Sequence, residues 1–408
     1  MPHDRGALID QLGALLTDQR YSSVVVHNYC RNAEHFLKYL AGRDIAVEAA
    51  TPAQVSGYLR YAIRKFRQRR GHPPAPRWES IPRAGIHALL RLVQKRWPPE
   101  PSAASPREAL CRSVCNEYRE WLHVQRGLAK ASIRALMWEG RNFLSWYAAR
   151  SAGDDLAELN IGDLDTYFEM RAAGLRRRSL KDLAERLRSM LRFLHRTGRI
   201  GVDLAPRIIA PVLYAYESIP SALSAGQISA VLKSTRGDRS PVGYRDYAIL
   251  LLLSTYGLRD GEITRRRLAD IDWRAEKLHI RHSKTGASSQ LPLMAEVGEA
   301  LLNYLRRGRP KTDAREIFIR TRAPYRRLAF LYSEVRGRLE AAGVRPHGKC
   351  GPHAFRHARA VSLLRASVSR KVIGDLLGHR SEESTLVYLK LATEDLRAIA
   401  LEIPEVRA

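Results

Sequence analysis

The chain has 408 residues, enough for two or three domains, and its 45% hydrophobic content excludes a disordered polymer. Lysine and arginine total 69 against 42 acidic residues, which gives a formal net charge of +27 and favours a polyanionic partner, nucleic acid before an anionic membrane. The longest apolar run, 248–253, is far shorter than the ~20 residues of a membrane-spanning helix, and no amino-terminal signal segment is recognised.

The four cysteines do not have the spacing of a zinc site. Cys30 and Cys350 are isolated, and Cys111 and Cys115 lie one helical turn apart. We therefore expect small core residues and no bound metal, in agreement with a protein of the reducing cytoplasm.

Residues 1–97 have the pattern of an all-helical domain. Apolar residues between Tyr29 and Leu40 recur at i, i+3 and i+4, and Gly42 follows as a stop signal. Thr51-Pro52 predicts the start of a second helix, and a proline-rich interruption at 72–76 precedes a third apolar stretch, 86–97. The following segment, 98–106, is rich in proline and small residues and is predicted to be a linker.

Residues 107–212 repeat this pattern. Segment 142–147 resembles 35–40, segment 163–168 resembles 54–59, and segment 192–195 resembles 91–94. These echoes predict a tandem duplication of an all-helical domain. The alternative is that helical segments with aromatic residues on one face resemble each other without common origin.

A second linker is predicted at 213–222, before a third domain at 223–408. Ser224 and Gln227 have capping-box spacing, and the strongly apolar helix predicted at 245–256 ends at Gly257.

The middle of the third domain changes from helical periodicity to alternation. Leu278 and Ile280, a turn at 283–286, then Leu291 and Leu293 predict a β-hairpin. Helices are predicted again at 295–307 and 326–342. The fold class is therefore mainly α, with tandem all-helical domains followed by a mostly helical domain that contains a small antiparallel sheet.

Basic residues in this domain stand at predicted helix ends and loop tips, positions that often carry function. Arg259 follows Gly257, with Asp260 and Glu262 able to orient it. The others are Lys284 at the hairpin tip, His353 and Arg356 three residues apart in a helix that begins after Gly351-Pro352, and His379 after Gly378. Tyr388 lies nine residues beyond His379, in a segment that begins at Ser381.

This set meets the chemical requirements for breaking a phosphodiester without metal. Guanidinium groups bind phosphate oxygens bidentately and keep their charge. A lysine can donate a proton to the leaving oxygen, and a histidine can accept one near neutral pH. A tyrosine can form a covalent phosphoryl-enzyme, which retains the bond energy for rejoining. The alternative for Tyr388 is a half-buried packing residue.

Four segments, TYGLRDGEI, HSKTGASSQLPL, HAFRHA and LLGHRSEESTLVYL, resemble in order the signature of the tyrosine recombinases, or phage integrase family. The resemblance covers about 220–395. It implies that Arg259 and Arg356 clamp the scissile phosphate and that Lys284 protonates the 5′-hydroxyl leaving group. It further implies that His353 assists proton transfer, that His379 stabilises the transition state, and that Tyr388 is the nucleophile.

The resemblance also implies partners and an assembly. It predicts a 3′-phosphotyrosine intermediate on duplex DNA, no cofactor, and service to a mobile element through integration or transposition. Residues 107–212 resemble the family's core-binding domain, and 393–408 resemble a helix that docks on a neighbouring subunit. A homotetramer on two DNA sites, with an accessory DNA-bending protein, is therefore expected. Residues 1–97 fit an additional core-binding-like domain.

Rival interpretations are open for the function and for several residues. The chain could be a type IB topoisomerase or a DNA-binding relative without catalysis. Tyr325 and Tyr332 are competing nucleophiles, although neither follows a Gly-His step. His357 is expected to pack within its helix, and the run 265–267 contacts phosphate or forms a solvated face.

Overall fold

The computed structural model describes residues 5–100, 103, 105–150, 156–214, 222–282, 288–346, 348 and 350–378. Within these residues the chain divides into two compact units, one formed by residues of 1–99 and 218–408, the other by residues of 100–217. The buried apolar residues form three large clusters, one in each predicted domain, and a small fourth cluster. The domain boundaries at 97, 107, 212 and 223 stay predictions.

Four helices form the amino-terminal part of the first unit: α1 (Arg5–Asp18), α2 (Ser23–Ala41), α3 (Pro52–Arg70) and α4 (Ser80–Gln94). The predicted helical face of α2 is confirmed, since Ala33, Phe36, Leu37 and Leu40 are buried and Gly42 ends the helix. Thr51 begins α3 with a capping box to Gln54. The third helix was expected at 86–97 and instead begins six residues earlier and ends at Gln94.

The second unit contains four helices: α5 (Pro106–Glu120), α6 (Lys130–Arg150), α7 (Ile161–Ala172) and α8 (Arg177–Arg196). Cys111 and Cys115 lie in its core, as predicted, whereas Cys30 and Cys350 in the first unit are half-buried. Asn160 caps α7 through a reciprocal hydrogen-bond pair with Asp163. The three segments that resemble parts of 1–97, namely 142–147, 163–168 and 192–195, all lie on helices of this unit.

The rest of the first unit is mostly helical, as predicted. Its helices are α9 (Ala225–Gly237), α10 (Pro241–Tyr256), α11 (Asp260–Thr264), α12 (Ala295–Asn303), α13 (Tyr332–Ala341), α14 (Pro352–Arg365) and α15 (Arg370–Leu377). The Ser224–Gln227 capping box is confirmed at the start of α9. No helix in the described part of the chain is long and apolar enough to cross a membrane.

A three-stranded antiparallel sheet lies between α11 and α12: β1 (Ile271–Asp272), β2 (Lys277–Arg281) and β3 (Ser288–Pro292). The predicted hairpin is confirmed, with Leu278 opposite Leu291 and Ile280 opposite Ser289. Strand β1, opposite the start of β2, was not expected. The turn itself, 283–287, lies outside the described residues.

One predicted helix is wrong in its first part. Helix 326–342 begins only at Tyr332, because the preceding segment pairs with a distant one. Arg327 forms a β-bridge with Ile319, and the Leu328 amide donates to the Phe318 carbonyl oxygen at 3.1 Å. Leu328 and Phe318 are buried in the same core, so tertiary contacts override the local helical pattern.

Candidate active site

Helix α10 positions the first site residue by ending abruptly. Gly257 adopts the left-handed conformation (φ 65°), and its amide donates to the Leu253 carbonyl oxygen. A Cβ atom at Gly257 would lie 2.8 Å from Leu377 Cδ2, so glycine also permits close approach to the end of α15. The chain then turns sharply, and Arg259 immediately precedes α11.

The Arg259 guanidinium bridges a buried acid and a distant backbone carbonyl. Its Nη1 donates to Glu262 Oε1 at 2.9 Å, and its Nη2 donates to the Gly378 carbonyl oxygen at 2.9 Å. The Arg259 amide also donates to Glu262 Oε2 at 2.9 Å. Glu262 therefore orients Arg259, as expected from the sequence, whereas Asp260 accepts a hydrogen bond from the Leu331 amide.

The side chain of Glu262 is inaccessible to solvent, yet it carries a stable charge. Burial raises the pKa of this carboxyl, but hydrogen bonds from the Arg259 amide, from His282 and from the Arg259 guanidinium outweigh burial and lower the pKa below its ordinary value. Glu262 is thus an ionised anchor for the arginine. Burial raises the pKa of Asp260, although the hydrogen bond from the Leu331 amide and the electrostatic effect of His353 partly lower it.

His282 is the main residue that the sequence interpretation missed. It is only 2% exposed; its Nδ1 lies 3.0 Å from Glu262 Oε1 and its Nε2 lies 2.8 Å from Ser289 Oγ. It follows β2 and continues the alternation of the buried residues Leu278 and Ile280. That period of two was the available signal, since a histidine on an apolar strand face needs polar partners.

Helix α14 supplies the second arginine. Arg356 is buried, its Nη1 donates to the Gly257 carbonyl oxygen at 2.8 Å, and its Nη2 donates to the Leu377 carbonyl oxygen. Arg259 and Arg356 therefore bind the carbonyls of two consecutive residues at the end of α15. The two guanidinium groups, which the sequence separates by almost a hundred residues, converge at one helix end.

His353 lies one turn before Arg356 and is exposed. Its ring is nearly parallel to that of half-buried His357, with ring centroids 6.2 Å apart and an interplanar angle of 29°. The two helix positions i and i+3 thus provide one buried cation and one accessible imidazole. Packing of His357 along its own helix agrees with the expectation for this residue.

The other three predicted site residues, Lys284, His379 and Tyr388, lie outside the described residues. The described chain reaches His282, two positions before Lys284, and ends at Gly378, directly before His379. His282 and Gly378 lie close together, because a Cβ atom at Gly378 would lie 2.4 Å from His282 Nδ1. The segment 393–408 also lies outside the described part.

The expectation that the whole run 265–267 meets phosphate or solvent is wrong for its middle residue. Arg266 is buried, and its guanidinium donates to the carbonyl oxygens of Glu262 and His279. Burial lowers the pKa of Arg266 to about 10. Arg265 and Arg267 are exposed. No group of acidic, cysteine or histidine side chains within the described residues could hold a metal ion.

The chain was compared with known proteins. Residues 222–395 match the family model described as the phage integrase family. Over 395 residues the chain is 31% identical to the putative integrase/recombinase y4rA of Sinorhizobium fredii, covering 95% of this chain and 92% of that relative. It is 65% identical over 186 residues to y4gC of the same organism, covering 46% of this chain and 97% of y4gC. A lambda integrase tetramer bound to a Holliday junction has a similar fold, with a TM-score of 0.53, 17% identity, and coverage of 78% of this chain and 88% of that chain.

Proposed function

The chain belongs to the phage integrase family of tyrosine recombinases, and we propose that it cuts and rejoins duplex DNA through a 3′-phosphotyrosine formed on Tyr388. Recombinase chemistry comes with family membership.

One observation carries the assignment of residues. Arg259 and Arg356 bind the carbonyls of Gly378 and Leu377, at the helix end that directly precedes His379 in the sequence. Two guanidinium groups at one place provide the paired donors that a phosphodiester needs for its two non-bridging oxygens. Glu262 holds Arg259, and His282 in turn contacts Glu262.

The proposed reaction conserves the number of phosphodiester bonds. The Tyr388 phenolic oxygen attacks the scissile phosphorus, and the bond from phosphorus to the 5′ oxygen breaks as the bond to Tyr388 forms. The phenolic proton leaves with help from His353, and Lys284 donates a proton to the departing 5′ oxygen. Arg259, Arg356 and His379 stabilise the charge on the phosphorane-like transition state. A 5′-hydroxyl of the partner strand then attacks the phosphotyrosine, which reverses these steps.

The assembly is proposed to be a homotetramer on two DNA sites in the nucleoid, with an accessory DNA-bending protein as a further partner. A tetramer on a Holliday junction is known for lambda integrase, whose fold is similar. The relatives named integrase/recombinase favour a role in moving a mobile element. Residues 1–97 and 107–212 are proposed to be duplicated DNA-binding domains, of which the second is the core-binding domain.

The test is the capture of a covalent adduct. Nicked duplexes tiled across the DNA that flanks the gene are incubated with the full chain, and protein–DNA adducts are separated on a denaturing gel. We expect an adduct with the wild type, and with Tyr325→Phe and Tyr332→Phe as controls, but none with Tyr388→Phe. An adduct with Tyr388→Phe would disprove the nucleophile assignment.

Strand exchange between two differently labelled duplexes separates the recombinase from its rivals. A type IB topoisomerase would form the adduct and relax supercoils without exchanging partners. A non-catalytic relative would form no adduct. Exchange that depends on Tyr388 supports the proposed function, whereas an adduct without exchange contradicts it.

A further inference from the structure

Residues 1–97 contain a compact aromatic cluster with a cation stacked on it. The ring of Phe36 on α2 meets Tyr58 on α3 edge to face, with centroids 5.4 Å apart and an angle of 74°. The ring of Tyr39 also contacts Tyr58, with centroids 5.3 Å apart. The guanidinium of Arg43 lies 3.7 Å from the centroid of Tyr39. These contacts join α2 to α3.

The second unit contains the same arrangement at corresponding positions. Phe143 meets Tyr167 edge to face at 5.1 Å and 75°, and Trp146 meets Tyr167 at 5.2 Å. Arg150 lies 5.0 Å from the ring of Trp146. The two ring contacts and the cation contact named for the first cluster each have a counterpart in the second, which supports the proposed duplication. The charges of the two corresponding helices, α3 and α7, can therefore be compared, because both helices have the same aromatic packing.

The surfaces of the two corresponding helices differ in charge. Helix α3 has 19 residues, with six lysine or arginine and no acidic residue, and all six are exposed: Arg60, Arg64, Lys65, Arg67, Arg69 and Arg70. Helix α7 has 12 residues and three acidic ones, and its single basic residue, Arg171, pairs with buried Glu139 at 3.2 Å. The aromatic packing therefore does not require a basic helix.

Three of the six form a continuous stripe. Arg60, Arg64 and Arg67 follow the spacing i, i+4, i+7, which places them on one helix face over about 10 Å. The residues buried on α3, Val55, Tyr58 and Leu59, lie on the other side. Within the described residues, no carboxylate pairs with any of the three. The helix dipole favours cations in the last turn, which accounts for Arg67 but not for Arg60 or Arg64.

We propose that Arg60, Arg64 and Arg67 form a second DNA-binding surface, separate from the active site, that takes the phosphate backbone of duplex DNA. An unpaired basic stripe on a rigid helix gains affinity by releasing counterions from DNA. Lys65 lies 4.9 Å from the ring of Tyr61, and Arg43 lies 5.9 Å from the same ring. Lys65 therefore extends the surface towards Arg43. The contacts carry no base readout, so the surface strengthens binding on any sequence.

The proposal rests on the action on duplex DNA proposed above, and its test measures binding without catalysis. The full chain with Tyr388→Phe is titrated with a fluorescent 30-base-pair duplex of arbitrary sequence at several salt concentrations. The test variant carries R60Q, R64Q and R67Q. We expect weaker binding and a slope of log affinity against log salt that is shallower by about 2.7, since each lost phosphate contact removes ~0.9. The variant R60K, R64K and R67K should keep the wild-type slope, because it keeps the charge.

The matched control removes three other positive charges from the same four helices. Arg31, Lys38 and Arg83 each have a partner within the chain: Asn28, Glu34 and Glu79. R31Q, K38Q and R83Q together should leave the slope almost unchanged. A wild-type slope in the test variant, or an equal loss in the control, overturns the proposal. The two proposals can fail separately. If the three arginines contribute to DNA binding but the wild-type chain forms no adduct through Tyr388, this inference holds and the proposed chemistry is disproved.

Discussion

The guanidinium of Arg259 donates a 2.9 Å hydrogen bond to the carbonyl oxygen of Gly378, 119 positions later in the chain. Gly378 adopts the left-handed conformation that ends α15, and His379 follows it. The backbone of this glycine thus accepts a hydrogen bond from one predicted site residue and directly precedes another in the sequence. The space beside it is small, since a Cβ atom at this position would overlap the ring of His282.

Gly378→Ala should impair the reaction more than the fold. The new Cβ atom would lie 2.4 Å from His282 Nδ1 and would displace the partner of Glu262. Gly343→Ala is the matched control, because Gly343 has a similar φ of 67° and no atom within 4 Å of its Cβ position. Both variants should lose ~1 kcal/mol of folding free energy from left-handed strain, and Gly378→Ala should lose more because its Cβ atom meets the buried His282 ring. Only Gly378→Ala should lower the rate of adduct formation, and equal rates in the two variants would contradict this account.

Glu262→Gln should destabilise the protein in a pH-dependent way. The lowered pKa of Glu262 means that its contribution to stability is present above the unfolded value near 4.3 and is lost as the pH falls through the lower folded value. The melting temperature should therefore differ most between wild type and variant at neutral pH, where breaking a buried ion pair costs about 3 kcal/mol.

That difference should shrink as the pH falls below the unfolded value and through the lower folded pKa, because the wild-type carboxylate then becomes protonated. Glu340→Gln serves as the control, since Glu340 forms an exposed pair with Arg336 and should affect melting little at either pH. A constant difference between wild type and Glu262→Gln across this range would show that the ionised carboxylate is not the source of the effect.

His282→Leu should slow adduct formation about tenfold at saturating DNA, with little change in DNA affinity. The substitution removes one donor from the buried carboxylate that holds Arg259, and a tenfold change corresponds to about 1.4 kcal/mol. His282→Asn should restore part of the rate, because the asparagine amide nitrogen takes the place of Nδ1. Ser289→Ala removes only the contact at Nε2 and should be nearly neutral. If Ser289→Ala slows the reaction as much as His282→Leu, the contact to Glu262 is not the important one.

Arg356→Lys should reduce the rate of adduct formation at least about 100-fold, although it conserves the charge. A lysine cannot donate to the Gly257 and Leu377 carbonyls from two nitrogens and keep the planar fork for phosphate. Arg365→Lys, near the exposed end of the same helix, is the control and should retain the wild-type rate. Single-turnover gel assays measure both. Near-normal cleavage by Arg356→Lys would remove Arg356 from the catalytic set.

Local signals in the sequence predicted many elements of the fold. The helix start at Thr51-Pro52, the Ser224 capping box, the stop at Gly257 and the alternation of β2 and β3 each depend on residues close together in the chain. Motif order then predicted the residues of the site. Arg259 and Arg356 are where such signals would place them, one at a turn and the other in the first turns of a helix.

Long-range partners were not predictable in the same way. The three arginines at 265–267 have equal character in the sequence, yet only Arg266 enters the core, because it meets the carbonyl oxygen of His279 on β2. Segment 326–331 is extended because its partner, around Ile319, is supplied by tertiary packing. His282 contacts Glu262, which lies twenty positions earlier in the chain, and no local sequence pattern predicts this contact.

The two site arginines share one support. Arg259 and Arg356 bind the carbonyls of neighbouring residues, Gly378 and Leu377, so either side chain steadies the helix end on which the other depends. We therefore expect their contributions to stability to be cooperative, with a non-zero coupling free energy in a double-mutant cycle even without DNA. The folded chain already holds the two arginines that we propose to bind phosphate as a single interdependent unit, so part of the entropic cost of assembling them is met when the protein folds.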